Sequence, residues 1–256
     1  MAGYQQWRSK PYQPGQAQSY KLSRSKIEDF VKCPRCFWLD RRLKISKPST
    51  PPFQINKAVD ELFKKEFDTY RRKKEAHPLM IEFGVEAIPY QHKDLGKWRQ
   101  NMIGVQFLHQ PTNLLVFGAI DDLWINPAGE VLVVDYKATA KNSPVSLDAP
   151  WQITYKRQIE IYQWLLSHNG LRVGKTGYFV YTNGRLDLDG FFNKIEFVTK
   201  IIPYVGDDSW VDATLGKIKE CLEQTSLPAP ADDCEYCQYA QSRTKLTLQA
   251  LGYKLP

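Results

Sequence analysis

Three short stretches carry residue types that could do chemistry. In "EVLVVDYKATAK" (130–141), the apolar run Val131-Leu132-Val133-Val134 ends in Asp135, Tyr136 and Lys137. In a strand, positions i and i+2 project from one face, so Asp135 and Lys137 point together. A carboxylate and an ammonium sharing a strand end make either a structural ion pair or part of a hydrolytic centre. The other two stretches are Cys33-Pro-Arg-Cys36 near the start and Cys234-Glu-Tyr-Cys237 near the end. Two C-x-x-C pairs so far apart suggest one four-thiolate metal site tying distant parts of the chain together. Such a site would stabilise the fold by closing a long loop. Cys221, in an amphipathic segment, reads as a core residue.

The segment preceding Asp135 supplies a partner. Residues 114–125, "LLVFGAIDDLWI", read as a strand joined to 130–138 by "NPAG". Asn at the first position, Pro at the second and a Gly able to turn left-handed give a type I turn followed by a G1 bulge. In that register opposed residues sum to 256, so Asp121 faces Asp135 and Ala119 faces Lys137. Two carboxylates opposed across a ladder repel, so a cation should stand between them. Lys137 is one candidate and a divalent metal the other, since oxygen donors suit Mg²⁺ or Mn²⁺. A two-residue loop would turn Asp122 to that face instead.

The elements that must hold these residues can be traced along the chain. Residues 1–20, rich in Gln, Pro and Gly and without an acid, read as a flexible basic arm, and 21–256 as one domain. Within it, 21–50 and 225–245 form the cysteine subregion. Ser25 with Glu28 reads as a capping box opening a helix. "SKPSTPP" (46–52) reads as a loop and 55–75 as a helix, while 76–112 resists assignment. Residues 151–170 read as a helix stopped by Asn169-Gly170, "KTGYFVYTNG" and "FFNKIEFVTKII" as strands, 208–224 as a helix and the tail around the second cysteine pair as a loop. Strands flanked by helices imply an α/β domain with a mixed central sheet.

Composition narrows the class. The chain has 256 residues, 43% hydrophobic and 25% charged, ordinary for a soluble globular protein. No apolar run approaches the roughly 20 residues needed to cross a bilayer, and the first residues lack a secretory core, so no membrane is expected and a cytoplasmic location is the default. The net charge of +7, with a pI near 9.0, favours a polyanionic partner, nucleic acid first. Seven Trp and fourteen Tyr would suit stacking on bases.

Taken in order, Gly118-Ala-Ile-Asp121, the apolar strand ending Asp135-Tyr-Lys137, and Gln158-Ile-Glu-Ile-Tyr162 resemble the PD-(D/E)XK nuclease superfamily, specifically its RecB-like branch, from about Leu22 to Ala240. The resemblance implies a restriction-endonuclease-like core. It implies Asp121, Asp135 and the Tyr136 backbone carbonyl as ligands of Mg²⁺ or Mn²⁺, and Lys137 as the residue that positions or activates the attacking water. Gln158 and Tyr162, at i and i+4, would line the site and the DNA path. The branch usually carries a His within a Gly-x-x-x-His pattern on an early helix; here Asn56 and Asp60 stand at those positions. Asp60 would be the further metal ligand, with Glu66 as the alternative. The cysteines fit those relatives that hold a [4Fe–4S] cluster, although two early and two late depart from their usual one and three; Zn²⁺ is the alternative. The implied activity is metal-dependent hydrolysis of DNA phosphodiester bonds, as an exonuclease or end-processing enzyme in DNA repair, recombination or defence. Arg24, Lys26, Arg41, Arg42, Lys156 and Arg157 would contact phosphates of single-stranded DNA or duplex ends. The rival readings are a nuclease-like DNA-binding scaffold that has lost catalysis and a standalone thiolate-metal module.

Overall fold

A computed structural model describes residues 10–48 and 54–253. In chain order its elements are β1 (Tyr20–Ser23), α1 (Arg24–Lys32), α2 (Pro34–Leu43), α3 (Gln54–Lys73), α4 (Pro78–Glu82), β2 (Ile88–Pro89), α5 (Leu95–Trp98), β3 (Val105–His109), β4 (Leu114–Gly118), β5 (Asp122–Ile125) and β6 (Val131–Ala140). A 3₁₀ turn (Pro150–Gln152) then leads into α6 (Ile153–His168), β7 (Thr176–Gly184), β8 (Phe197–Val205), α7 (Trp210–Glu223) and α8 (Glu235–Ala250). The chain divides into two compact units where the sequence suggests one domain. The first comprises residues 1–50, 108–115 and 212–256; the second comprises 51–107 and 116–211.

The second unit is built on a five-stranded mixed sheet in the order β2-β5-β6-β7-β8. Only the β6–β7 pair is parallel. The β5–β6 hairpin has the register expected from "NPAG": Ile125 lies opposite Val131 and Asp122 opposite Val134. Gly129 takes φ +76° and donates to Asn126 O, while Asn126 N donates to Glu130 O, which is the G1 bulge. Alternation then divides β6 between two faces. Leu132, Val134 and Tyr136 join Phe67 of α3, Trp124, Met80 and Val180 in one core. Val133, Asp135 and Lys137 point to the opposite face, where α6 packs closely enough that a Cβ on Gly177 would stand 2.5 Å from Ile159.

Residues 114–125 are not one strand. They split into β4, in a three-stranded sheet with β1 and β3, and β5, in the larger sheet. The break at 119–121 is held by Ile120 N donating to Trp98 O and by Arg99 Nε donating to Asp121 O at 2.9 Å. Ala119 therefore has no ladder partner, and the expected pairing with Lys137 does not form. Gly104 permits this crossing: at φ +62°, its absent Cβ would lie 2.4 Å from Gly118 O. Left-handed strain and a backbone clash act together there, so Gly104→Ala is expected to destabilise the chain by about 2–4 kcal/mol, read by urea unfolding. A change under 1 kcal/mol would show that the backbone there yields.

The first unit departs more from expectation. Residues 1–9 of the basic arm lie outside the described residues, but 10–20 include Tyr12, which is buried and donates its backbone N–H to Arg41 O. The first helix begins at Arg24 with Ser23 as its cap, so Ser25 and Glu28 form no capping box. The second cysteine pair opens a helix, α8, rather than lying in a loop. Leu22, Ile27, Phe37, Leu215, Ile218 and Leu222 are buried in this unit. Cys221 is buried as expected.

Candidate active site and four-cysteine centre

The acidic site lies in the second unit, where β5, β6, α3 and α6 bring their side chains together. Asp135 is fully buried and accepts a 2.7 Å hydrogen bond from Gln158 Nε2 at Oδ1. Its Oδ2 is ion-paired with Lys137 but accepts no aligned hydrogen bond. Burial raises the Asp135 carboxyl to about 7, the Lys137 charge works against that rise, and the Asp121 charge adds to it. Asp121 sits one residue before β5 and accepts the backbone N–H of Tyr136 at 3.1 Å. Gln158 Nε2 also lies 3.5 Å from the Tyr162 hydroxyl, so the helix-face pair is formed.

Two residues that the sequence did not single out complete the surroundings. Lys64, one helical turn after Asp60, reaches Asp60 at 2.6 Å and Asp121 at 3.7 Å. Lys64 thus pairs with Asp60 and Asp121, and Lys137 pairs with Asp135. Asp60 is raised by burial and then by Asp121, with Lys64 opposing. Burial disfavours the charged form of Lys64, yet the two carboxylates outweigh it and raise its pKa. Tyr155 lies under Lys137, whose Nζ stands 4.6 Å from the ring centroid. Asn56, Asp60, Lys137 and Tyr155 line a cleft of about 220 Å³. The i+4 spacing of Asp60 and Lys64 was the legible signal; Tyr155, three residues before Gln158, shares its helix face.

Neighbouring residues are accounted for elsewhere. Glu66, the alternative to Asp60, is bonded to His77 Nε2 at 2.9 Å, and His77 stacks on Phe67. Asp122 faces the α3 side and is completely buried among Arg71, Arg99 at 3.0 Å and the Tyr136 hydroxyl at 2.7 Å. Glu160, between Gln158 and Tyr162, turns to Tyr204 and Trp210. Of the basic residues expected on DNA, three are engaged within the first unit. Lys26 pairs with Asp29 and Asp40, Arg41 pairs with Asp40, and Arg42 donates to the carbonyls of Leu222 and Gln224. Lys156 lies over the Tyr204 ring.

The oxygen donors suit a hard divalent cation: Asp60, Asp121 and Asp135 are carboxylates, and the buried Oδ2 of Asp135 has only the Lys137 ammonium beside it. The cysteines in the first unit can hold a metal ion of another kind. Cys33, Cys36, Cys234 and Cys237 have all four sulfurs within 4.8 Å of one another. The separations are 3.5 Å for Cys36–Cys237, 3.6 Å for Cys36–Cys234 and 3.8 Å for Cys33–Cys237. A [4Fe–4S] cube carries its thiolates on four separate irons and spreads them to roughly 6 Å. These spacings do not fit that cluster.

A mixed sheet whose acids stand on an antiparallel hairpin, beside the strand that continues into a parallel pair, is the core of the restriction-endonuclease-like α/β class. The sequence agrees: the family model for the PD-(D/E)XK nuclease superfamily matches residues 52–242, well over half of the chain, and the chain belongs to that superfamily. Among solved structures, one titled "Crystal structure of SSO0001" is similar at 15% identity, covering 88% of this chain and 86% of its own, with a TM-score of 0.36. No curated protein matches the chain in sequence. No helix among the described residues is long and apolar enough to cross a membrane.

Proposed function

We propose that the protein is a RecB-like, divalent-metal-dependent deoxyribonuclease acting at DNA ends or single strands. The observation that carries this reading is the junction of Asp121, the Tyr136 amide, buried Asp135 and Lys137, closed by Gln158. Asp121 and Asp135, with Asp60 and the Tyr136 carbonyl, would hold Mg²⁺ or Mn²⁺, which when bound polarises the scissile phosphate and lowers the pKa of a water. Lys137, paired with Asp135, would position the attacking water and offer positive charge to a transition state richer in negative charge. Tyr155 keeps the ammonium in place through its ring face. Gln158 orients Asp135 by one amide proton and reaches the hydroxyl of Tyr162, a buried ring that braces the site from the same helix face. Arg24, Lys156 and Arg157 bind backbone phosphates; Lys26, Arg41 and Arg42 support their own unit instead. The cytoplasm is the expected compartment, and repair, recombination or defence the expected setting.

The test is cleavage of end-labelled single- and double-stranded DNA with Mg²⁺, Mn²⁺ or EDTA. Metal-dependent product ladders support the reading; binding without cleavage under every metal ends it. One observation favours a second reading. Lys64 stands against both Asp60 and Asp121, and such an internal cation would suit a DNA-binding scaffold that needs no metal. The two readings separate on Lys64→Ala. In a nuclease, removing a competing cation is expected to lower the Mg²⁺ concentration giving half-maximal cleavage, while a scaffold loses stability and gains no activity.

A further inference from the structure

Both cysteine pairs are built in the same way. Cys33 caps α2, and Cys36 lies in that helix's first turn behind Pro34. Cys234 caps α8, and Cys237 lies in its first turn. Two helix N-termini thus converge on four sulfurs. All four cysteines are free, and the Cys36–Cys237 pair at 3.5 Å is far from the roughly 2 Å of a disulfide bond. Sulfurs merely packed in contact would also approach this closely, but ordinary packing does not bring four of them from two remote segments around a common centre.

The dimensions distinguish what that centre can hold. Four sulfurs at the corners of a tetrahedron, each about 2.3 Å from one ion, stand about 3.8 Å apart. The observed separations of 3.5, 3.6 and 3.8 Å, with none beyond 4.8 Å, are those of a single ion. A two-iron cluster would also push two of the thiolates away from the other two, because each iron takes its own pair. Three of the cysteines are buried and the fourth is half-buried, and four thiolates by themselves complete a tetrahedral shell with no ligand position left over.

We infer that the four cysteines form a closed, mononuclear Zn²⁺ site in place of the iron–sulfur cluster associated with such nucleases. The ion joins the start of α2 to the start of α8, fastening the two terminal segments of the first unit without entering the chemistry of the acidic site. The inference stands whether or not the chain cuts DNA.

The full chain, expressed with both iron and zinc supplied and purified anaerobically without chelators, decides the matter by elemental analysis and visible absorption. One zinc per chain, a colourless protein and, after exchange with Co²⁺, the intense visible bands of tetrahedral cobalt–thiolate are expected. Cys237→Ser is expected to lower zinc content, and stripping the wild type with a chelator to lower its melting temperature. Four irons per chain with broad brown absorption would overturn the inference, as would wild-type chain that folds with neither metal. Because the deciding measurement is made on the wild type, a variant that fails to fold does not affect it.

Discussion

Replacing Lys137 with alanine is expected to reduce phosphodiester cleavage by about 10²–10³-fold, the loss that follows removal of one charge-stabilising donor from a transition state. The substitution removes the ammonium that is paired with Asp135 and held over Tyr155. Binding of DNA should change little, because the lysine's charge is directed at the reacting phosphate rather than along the strand. The check is single-turnover cleavage beside a binding titration on the same substrate. Equal losses of binding and cleavage would demote Lys137 to a general contact, and unchanged cleavage would remove it from the mechanism. The substitution also leaves a buried carboxylate without its counter-charge. Asp135 is already raised to about 7 by burial and by Asp121, and without Lys137 its carboxyl moves further up. A thermal melt at each pH therefore accompanies the assay, so that misfolding is distinguished from lost chemistry.

The second large effect concerns stability. Asp122→Ala is expected to cost about 3–5 kcal/mol, because it leaves Arg71 and Arg99 as buried charges without their shared carboxylate. The Tyr136 hydroxyl loses its acceptor at the same time. For a chain of this size that is a fall in melting temperature of about 6–20 °C. Asp121→Ala should show the opposite profile: cleavage lost with a stability cost of only about 1–2 kcal/mol, since Asp121 is partly exposed and gives up one backbone hydrogen bond and a long ion pair with Lys64. A stability loss below 1 kcal/mol for Asp122→Ala would mean that the arginines find other partners, such as Asp68, which both already touch. The pair of adjacent aspartates thus offers a direct test of which face of the hairpin does chemistry and which holds the sheet to α3.

Much of this site was legible in residue order because its geometry is local. The turn "NPAG" permits one common hairpin register, and that register fixes which residues of β6 share a face. The i, i+2 spacing of Asp135 and Lys137 and the i, i+4 spacing of Gln158 and Tyr162 then follow from strand and helix periods alone. Helices α3, α6 and α7 were legible for the same reason. The position of Cys221 in the core also followed from its amphipathic surroundings.

What the sequence could not decide was everything set by contacts between distant segments. Nothing local shows that residues 119–121 leave one sheet for another; that depends on Gly104 and Arg99 meeting them from elsewhere in the chain. The fate of Lys26, Arg41 and Arg42 was equally hidden, because whether a cation faces solvent or a buried carboxylate depends on tertiary packing. Lys64 could be placed one turn from Asp60 but not against Asp121, and Glu66 could not be separated from the site until His77 claimed it. The cysteine spacing alone announced a four-thiolate centre, since residue type and pairing suffice for that. Only the folded chain brought the four sulfurs within 4.8 Å of one another, because the two pairs lie about 200 residues apart and meet through tertiary packing.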